Sequence, residues 1–92
     1  MEQTTEQTAS MRVSNMTKDE LASIAYATVE ELEWLEPNDG NRLGYHIYLY
    51  LNGNISSIEE AVLESQSRTT LAHRELIWLI RERLLAAGIE AK

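Results

Sequence analysis

Leu43-Gly44-Tyr45-His46-Ile47-Tyr48-Leu49-Tyr50-Leu51 is the stretch on which the fold turns. Read with a period of two, Leu43, Tyr45, Ile47, Leu49 and Leu51 share one face of a strand. Read with a helical period, Leu43, Ile47, Tyr50 and Leu51 share a stripe. Tyrosine and isoleucine favour a strand, and Gly44 costs a helix ~1 kcal/mol relative to alanine. A strand needs a neighbour, however, and the only other candidate is the short Met11-Arg12-Val13. Asp39 ahead of the stretch is a good N-cap and Gly53 behind it a good C′ residue. The balance favours a helix between them.

Upstream, Thr17-Lys18-Asp19-Glu20 reads as a capping box, in which Thr17 and Glu20 satisfy each other's backbone N–H groups. Met16 and Leu21 have hydrophobic-staple spacing, and Leu21, Ile24, Ala25, Thr28, Leu32 and Leu35 continue at threes and fours. The spacing predicts a helix that runs until Pro37 ends it, with Asn38-Asp39-Gly40 as a turn. Downstream, Ser56 with Glu59 and Ser57 with Glu60 are overlapping capping boxes, followed by Ile58, Ala61 and Val62. Ser65 to Thr70 is polar and partly β-branched. An unbroken helix over 57–87 would span ~45 Å, long for so small a domain, so a break or bend there is expected. The last helix is expected over Leu71–Ala87, with Gly88 at C′ and Ile89 touching Leu84 or Leu85 in a Schellman close. Residues 1–16 are polar and aperiodic and read as a flexible tail, which leaves 17–92 as a single helical domain. The expected fold is all-α, a small bundle of three or four helices with short connections and a disordered N-terminal tail.

A chain of 92 residues with a net charge of −7 has no room for a barrel or a doubly wound nucleotide fold. The absence of cysteine excludes disulfides, a zinc ribbon and a thiol nucleophile. No run approaches the ~18 apolar residues of a membrane span, and the N-terminal residues lack the basic start and apolar core of a secretory signal. A cytoplasmic setting is expected. His46 and His73 form no metal-binding pattern, no Gly-rich phosphate loop or Gly-x-Ser-x-Gly elbow occurs, and no catalytic constellation emerges. The expectation is a protein that is not an enzyme and that takes no cofactor or metal.

The charge is unevenly placed. Residues 1–40 hold nine acids and two bases, whereas 41–92 hold six of each, so the whole net charge lies in the first 40 positions. Asp19 and Glu20 suit a helix start, but Glu30, Glu31, Glu33 and Glu36 crowd the expected carboxyl end of the first helix, where each anion costs ~0.3–1 kcal/mol. Trp34 stands among them. With Asp39, these residues (Glu30, Glu31, Glu33, Trp34, Glu36) form a candidate surface for a basic protein, the carboxylates steering the encounter and the indole supplying contact area. The plainer reading is a solvated face with the indole packed under the next loop.

Two further groups stand out. Arg74, Trp78 and Arg81 share a helix face, read either as a helix edge with snorkelling arginines or the intramolecular counterpart of the acidic cluster, or as a basic-aromatic stripe for a phosphate backbone or an acidic partner. Tyr45, Tyr48 and Tyr50, with Ile77 and Trp78 from the last helix, suit an oligomer interface, including a homodimer seam. A direct nucleic-acid role is disfavoured, because the global field repels phosphate and the last helix carries Glu75, Glu82 and many leucines among its arginines. The overall profile (short, acidic, helical, cysteine-free) resembles that of phage anti-defence proteins, toxin-immunity proteins and antitoxins. The resemblance is one of composition and covers no specific motif. It implies a stoichiometric inhibitor or neutraliser of a basic, nucleic-acid-handling protein. The alternative is a homo-oligomeric regulatory or scaffold protein joined through the Tyr-rich segment and the last helix.

Overall fold

The computed structural model describes residues 16–90. Its described residues form four helices, α1 (Lys18–Val29), α2 (Pro37–Leu51), α3 (Ile58–Ser65) and α4 (His73–Ala86). The fold is all-α, and no helix among the described residues is long and apolar enough to cross a membrane. The polar tail expected over 1–16 lies outside the described residues apart from Met16, which is half-buried against the core.

The disputed stretch is helical. Leu43, Ile47 and Leu51 are buried at i, i+4 and i+8, while Tyr45, which the strand reading placed beside them, is exposed. α2 packs most extensively on α1 and then on α3, and α4 touches α1 and α3. One apolar cluster joins all four helices through Leu21, Leu43, Ile47, Ile58, Ile80 and Leu84. Burying a side chain of this size is worth roughly 1.5–3 kcal/mol. The long central helix therefore costs its two glycines less than it gains from its buried stripe.

The helix ends are chemically closed. At α1, the Glu20 N–H donates to Thr17 Oγ1 at 3.1 Å and the Thr17 N–H to Glu20 Oε1 at 2.8 Å, completing the capping box read from sequence. At α3, Ser57 Oγ accepts from the Glu60 N–H at 3.1 Å, while Glu60 Oε1 accepts from the Ser56 hydroxyl at 2.8 Å and its N–H at 3.3 Å. The Ser56 bonds hold the Glu60 carboxyl below its ordinary range. Being lowered in the folded state, its contribution is complete above the ordinary glutamate pKa and fades as pH falls through the lowered value. α2 and α4 both close with Schellman pairs. Asn54 donates to the Leu49 carbonyl and Ile89 to that of Leu84, with Gly53 and Gly88 at positive φ.

The expected break in 57–87 occurs after Ser65, where Gln66 adopts a left-handed cap. The final helix starts at His73, two residues later than its apolar pattern suggested. Two other expectations are corrected. α1 stops at Val29 instead of continuing to Leu35, which is exposed. Pro37 opens α2 at its first position, where its missing N–H costs nothing, so the N-cap is Glu36 and Asp39 is the third helical residue.

Candidate functional site

The early end of α1 turns residues 30–36 into a loop that carries four glutamates and Trp34. Glu30 has an extended backbone and Glu31 a left-handed one (φ 71°), a conformation that costs an L-residue roughly 1 kcal/mol. Electrostatics contributes to the stop, because a helix continued to Leu35 would carry Glu33 in its last turn and Glu36 just beyond it, where anions are disfavoured. The carbonyls left open are met from another helix instead. Arg83 of α4 donates through one nitrogen to the Thr28 carbonyl at 3.1 Å and to that of Glu30. The cation that the local sequence of α1 lacks is thus supplied from 53 residues away.

The loop is clasped to the linker between α3 and α4. Leu35 N–H donates to the Arg68 carbonyl at 3.0 Å, and Trp34 and Thr69 form an isolated antiparallel bridge. The Thr69 hydroxyl donates to the Glu33 carbonyl and that of Thr70 to Glu33 Oε1 at 3.0 Å. Beneath this clasp lies a buried ionic node. Asp39, 0% exposed, accepts the Glu36 N–H on Oδ2 at 3.0 Å and the Arg42 guanidinium on Oδ1. Arg42 reaches on to the Ser65 carbonyl at 3.1 Å, and the Ser67 hydroxyl donates to the Asp39 carbonyl at 2.7 Å. Arg68 pairs with Glu36 at 3.1 Å.

These contacts divide the acidic candidates. Asp39 is removed from the partner surface expected for it, because its buried carboxylate is taken up by the Glu36 N–H and Arg42 while its carbonyl accepts from Ser67 of the α3–α4 linker. Glu36 remains exposed but is matched by Arg68. Glu33 is exposed and bonded to Thr70. Glu30 and Glu31 are exposed and form no ion pair among the described residues. Trp34 is half-buried, so its indole is neither sealed in nor fully presented.

Glu30, Glu31 and Trp34 come together with Tyr26 around a groove of about 540 Å³ between the end of α1 and the start of α2. Gly40 and Gly44, one turn apart on α2, form its counterpart. A Cβ at Gly40 would lie 2.8 Å from Trp34 Nε1, and one at Gly44 2.4 Å from Tyr26 Cδ1. The rings therefore rest on helix backbone. Gly44→Ala is expected to displace Tyr26 and cost about 1 kcal/mol net, overpacking outweighing the gain in helix propensity. In a Tyr26→Ala background the same change should stabilise the protein by ~0.5–1 kcal/mol. Urea unfolding of the four variants checks the reversal of sign, and equal effects in both backgrounds would contradict the contact.

The expected oligomer residues also separate. Ile77 is buried in this chain's own core and leaves the interface set, whereas Trp78 is exposed. Tyr48 and Tyr50 are half-buried. Tyr45 is exposed, stacking edge-on with His46 at 5.7 Å and lying 6.3 Å from Tyr48. His46 is tied to the backbone through Nδ1, which donates to the Arg42 carbonyl at 2.8 Å. No group of three His, Asp or Glu side chains among the described residues is placed to hold a metal ion.

No family model, curated protein or solved structure matches this chain. The reading of its function rests on the groove and the charges around it. Tyr26 was the residue missed in the sequence. Its place one position from Ala25 on the buried stripe marked it only as a helix flank, and nothing local shows that the glycines of α2 receive its ring.

Proposed function

We propose that the protein is a non-catalytic, acidic binding module that engages a basic protein surface through the Tyr26–Trp34 groove and its rim. The observation that carries this reading is the pair Glu30 and Glu31, which stand exposed at the carboxyl end of α1 and form no ion pair among the described residues. Arg83 caps the carbonyls at this helix end, but the Glu30 and Glu31 carboxylates themselves make no hydrogen bond or ion pair among the described residues, so the fold does not use them. Carboxylates here attract cationic side chains, and the two rings offer faces for a guanidinium or ammonium group. A partner that handles nucleic acid has such a surface, and the module would neutralise it by occupying places that phosphates take. This is the stoichiometric inhibitor or neutraliser of the anti-defence, immunity or antitoxin kind, with a cytoplasmic setting.

The test is capture of a partner, followed by association kinetics with Glu30→Lys, Glu31→Lys and Glu33→Lys combined. The triple variant should keep its helical spectrum and associate about 10–100-fold more slowly, with the wild-type rate falling as salt rises. Equal rates and affinities for wild type and triple variant would overturn the proposal.

A further inference from the structure

We infer that the outer face of α4 is a second interaction surface, and that its occupant is the acid-rimmed groove of a second copy of this chain. The sorting of charges leads there. Arg42, Arg68 and Arg83 are spent on this chain's own carboxylates and carbonyls. Arg74 and Arg81 are exposed and form no ion pair among the described residues. They lie with Trp78 and Leu85 at i, i+4, i+7 and i+11, the spacing of one helix face. Trp78 and Leu85 are each 58% exposed, although the opposite side of α4 supplies Leu76, Ile80 and Leu84 to the core. A narrow band of two cations and two large apolar side chains is therefore left uncovered, with Glu75 and Glu82 on the adjoining face.

The groove is its complement, with two aromatic rings and two carboxylates that form no ion pair among the described residues. A guanidinium between a carboxylate and a ring gains both a charge-assisted hydrogen bond and a cation–π contact. A phosphate backbone matches the arginines alone, and a net charge of −7 repels it. Because two acidic copies also repel each other at long range, salt dependence is not diagnostic. Exchange of charge between the two surfaces is.

Sedimentation velocity over a concentration series should show the full chain self-associating. Glu30→Lys with Glu31→Lys, or Arg74→Glu with Arg81→Glu, should each weaken association about tenfold or more. An equimolar mixture of the two double variants should recover it, since each then offers the other an opposite charge. All four substitutions are at exposed positions, and unchanged helical spectra confirm folding. A wild type that stays monomeric up to roughly 1 mM, or a mixture that fails to associate, overturns the inference. So does a monomeric wild type that shifts a DNA duplex through Arg74 and Arg81. The α4 double variant leaves the groove intact, so its capture of a foreign basic protein would sustain the proposed function even where self-association fails.

Discussion

Asp39→Ala is expected to lower the unfolding free energy by about 3 kcal/mol. The carboxylate is wholly buried, and its loss strands two partners at once. The Glu36 N–H at the start of α2 loses its acceptor, and the Arg42 guanidinium loses its counter-charge. Arg42 is 39% exposed at its side chain, so water recovers part of the loss, which holds the cost to the lower end of the range for a broken buried pair. A small domain has only ~5–15 kcal/mol in total, so the variant should unfold at markedly lower urea. Asp39→Asn keeps an acceptor for the Glu36 N–H and should cost less. Hydrogen exchange should show the Glu36 amide losing protection in the alanine variant and keeping it in the asparagine variant. A loss of under ~0.5 kcal/mol for Asp39→Ala, the size of an ordinary surface change, would mean that the node does not form.

The second large effect distinguishes the helical from the extended form of residues 43–51. Ile47→Ala should cost about 2–5 kcal/mol, because a fully buried branched side chain leaves a cavity in the core. Tyr45→Ala should cost less than ~1 kcal/mol, since its ring is 51% exposed and only edges against its neighbours. In a strand the two side chains would point to the same face and their costs would be similar. Comparable losses for both, measured by denaturant unfolding, would therefore return the segment to the extended reading.

The cause of this ambiguity is instructive. Leu43, Ile47 and Leu51 satisfy both periods, so only the neighbours decide, and a strand without a partner leaves its backbone unpaired. The same logic explains α1. Its start was legible because Thr17 and Glu20 act on each other within one turn. Its end was not, because Leu32 and Leu35 keep helical spacing while the carbonyl-capping cation, Arg83, comes from α4. The acidic cluster was visible as a run of charge, but which members face outward was not. Asp39 and Glu36 are matched by Arg42 and Arg68, and only folding brings Arg68 near them.

By itself, the sequence determined the helical class, the Thr17–Glu20 box of α1 and the Ser57 cap of α3, an interruption between Ser65 and Thr70, the C′ glycines Gly53 and Gly88, and the gathering of negative charge in the first 40 positions. These are local matters, set by bonds between residues a few places apart and by composition. The expected Ser56–Glu59 pair does not form, because Ser56 bonds Glu60. Only the tertiary structure decided that α1 stops at Val29, that Asp39 and Ile77 belong to the interior, and that Tyr26 and Trp34 lie on the glycines of α2 beside the exposed Glu30 and Glu31. Each of those outcomes depends on a partner brought in from another element. Burial and charge pairing act through space, and spacing along the chain does not record them.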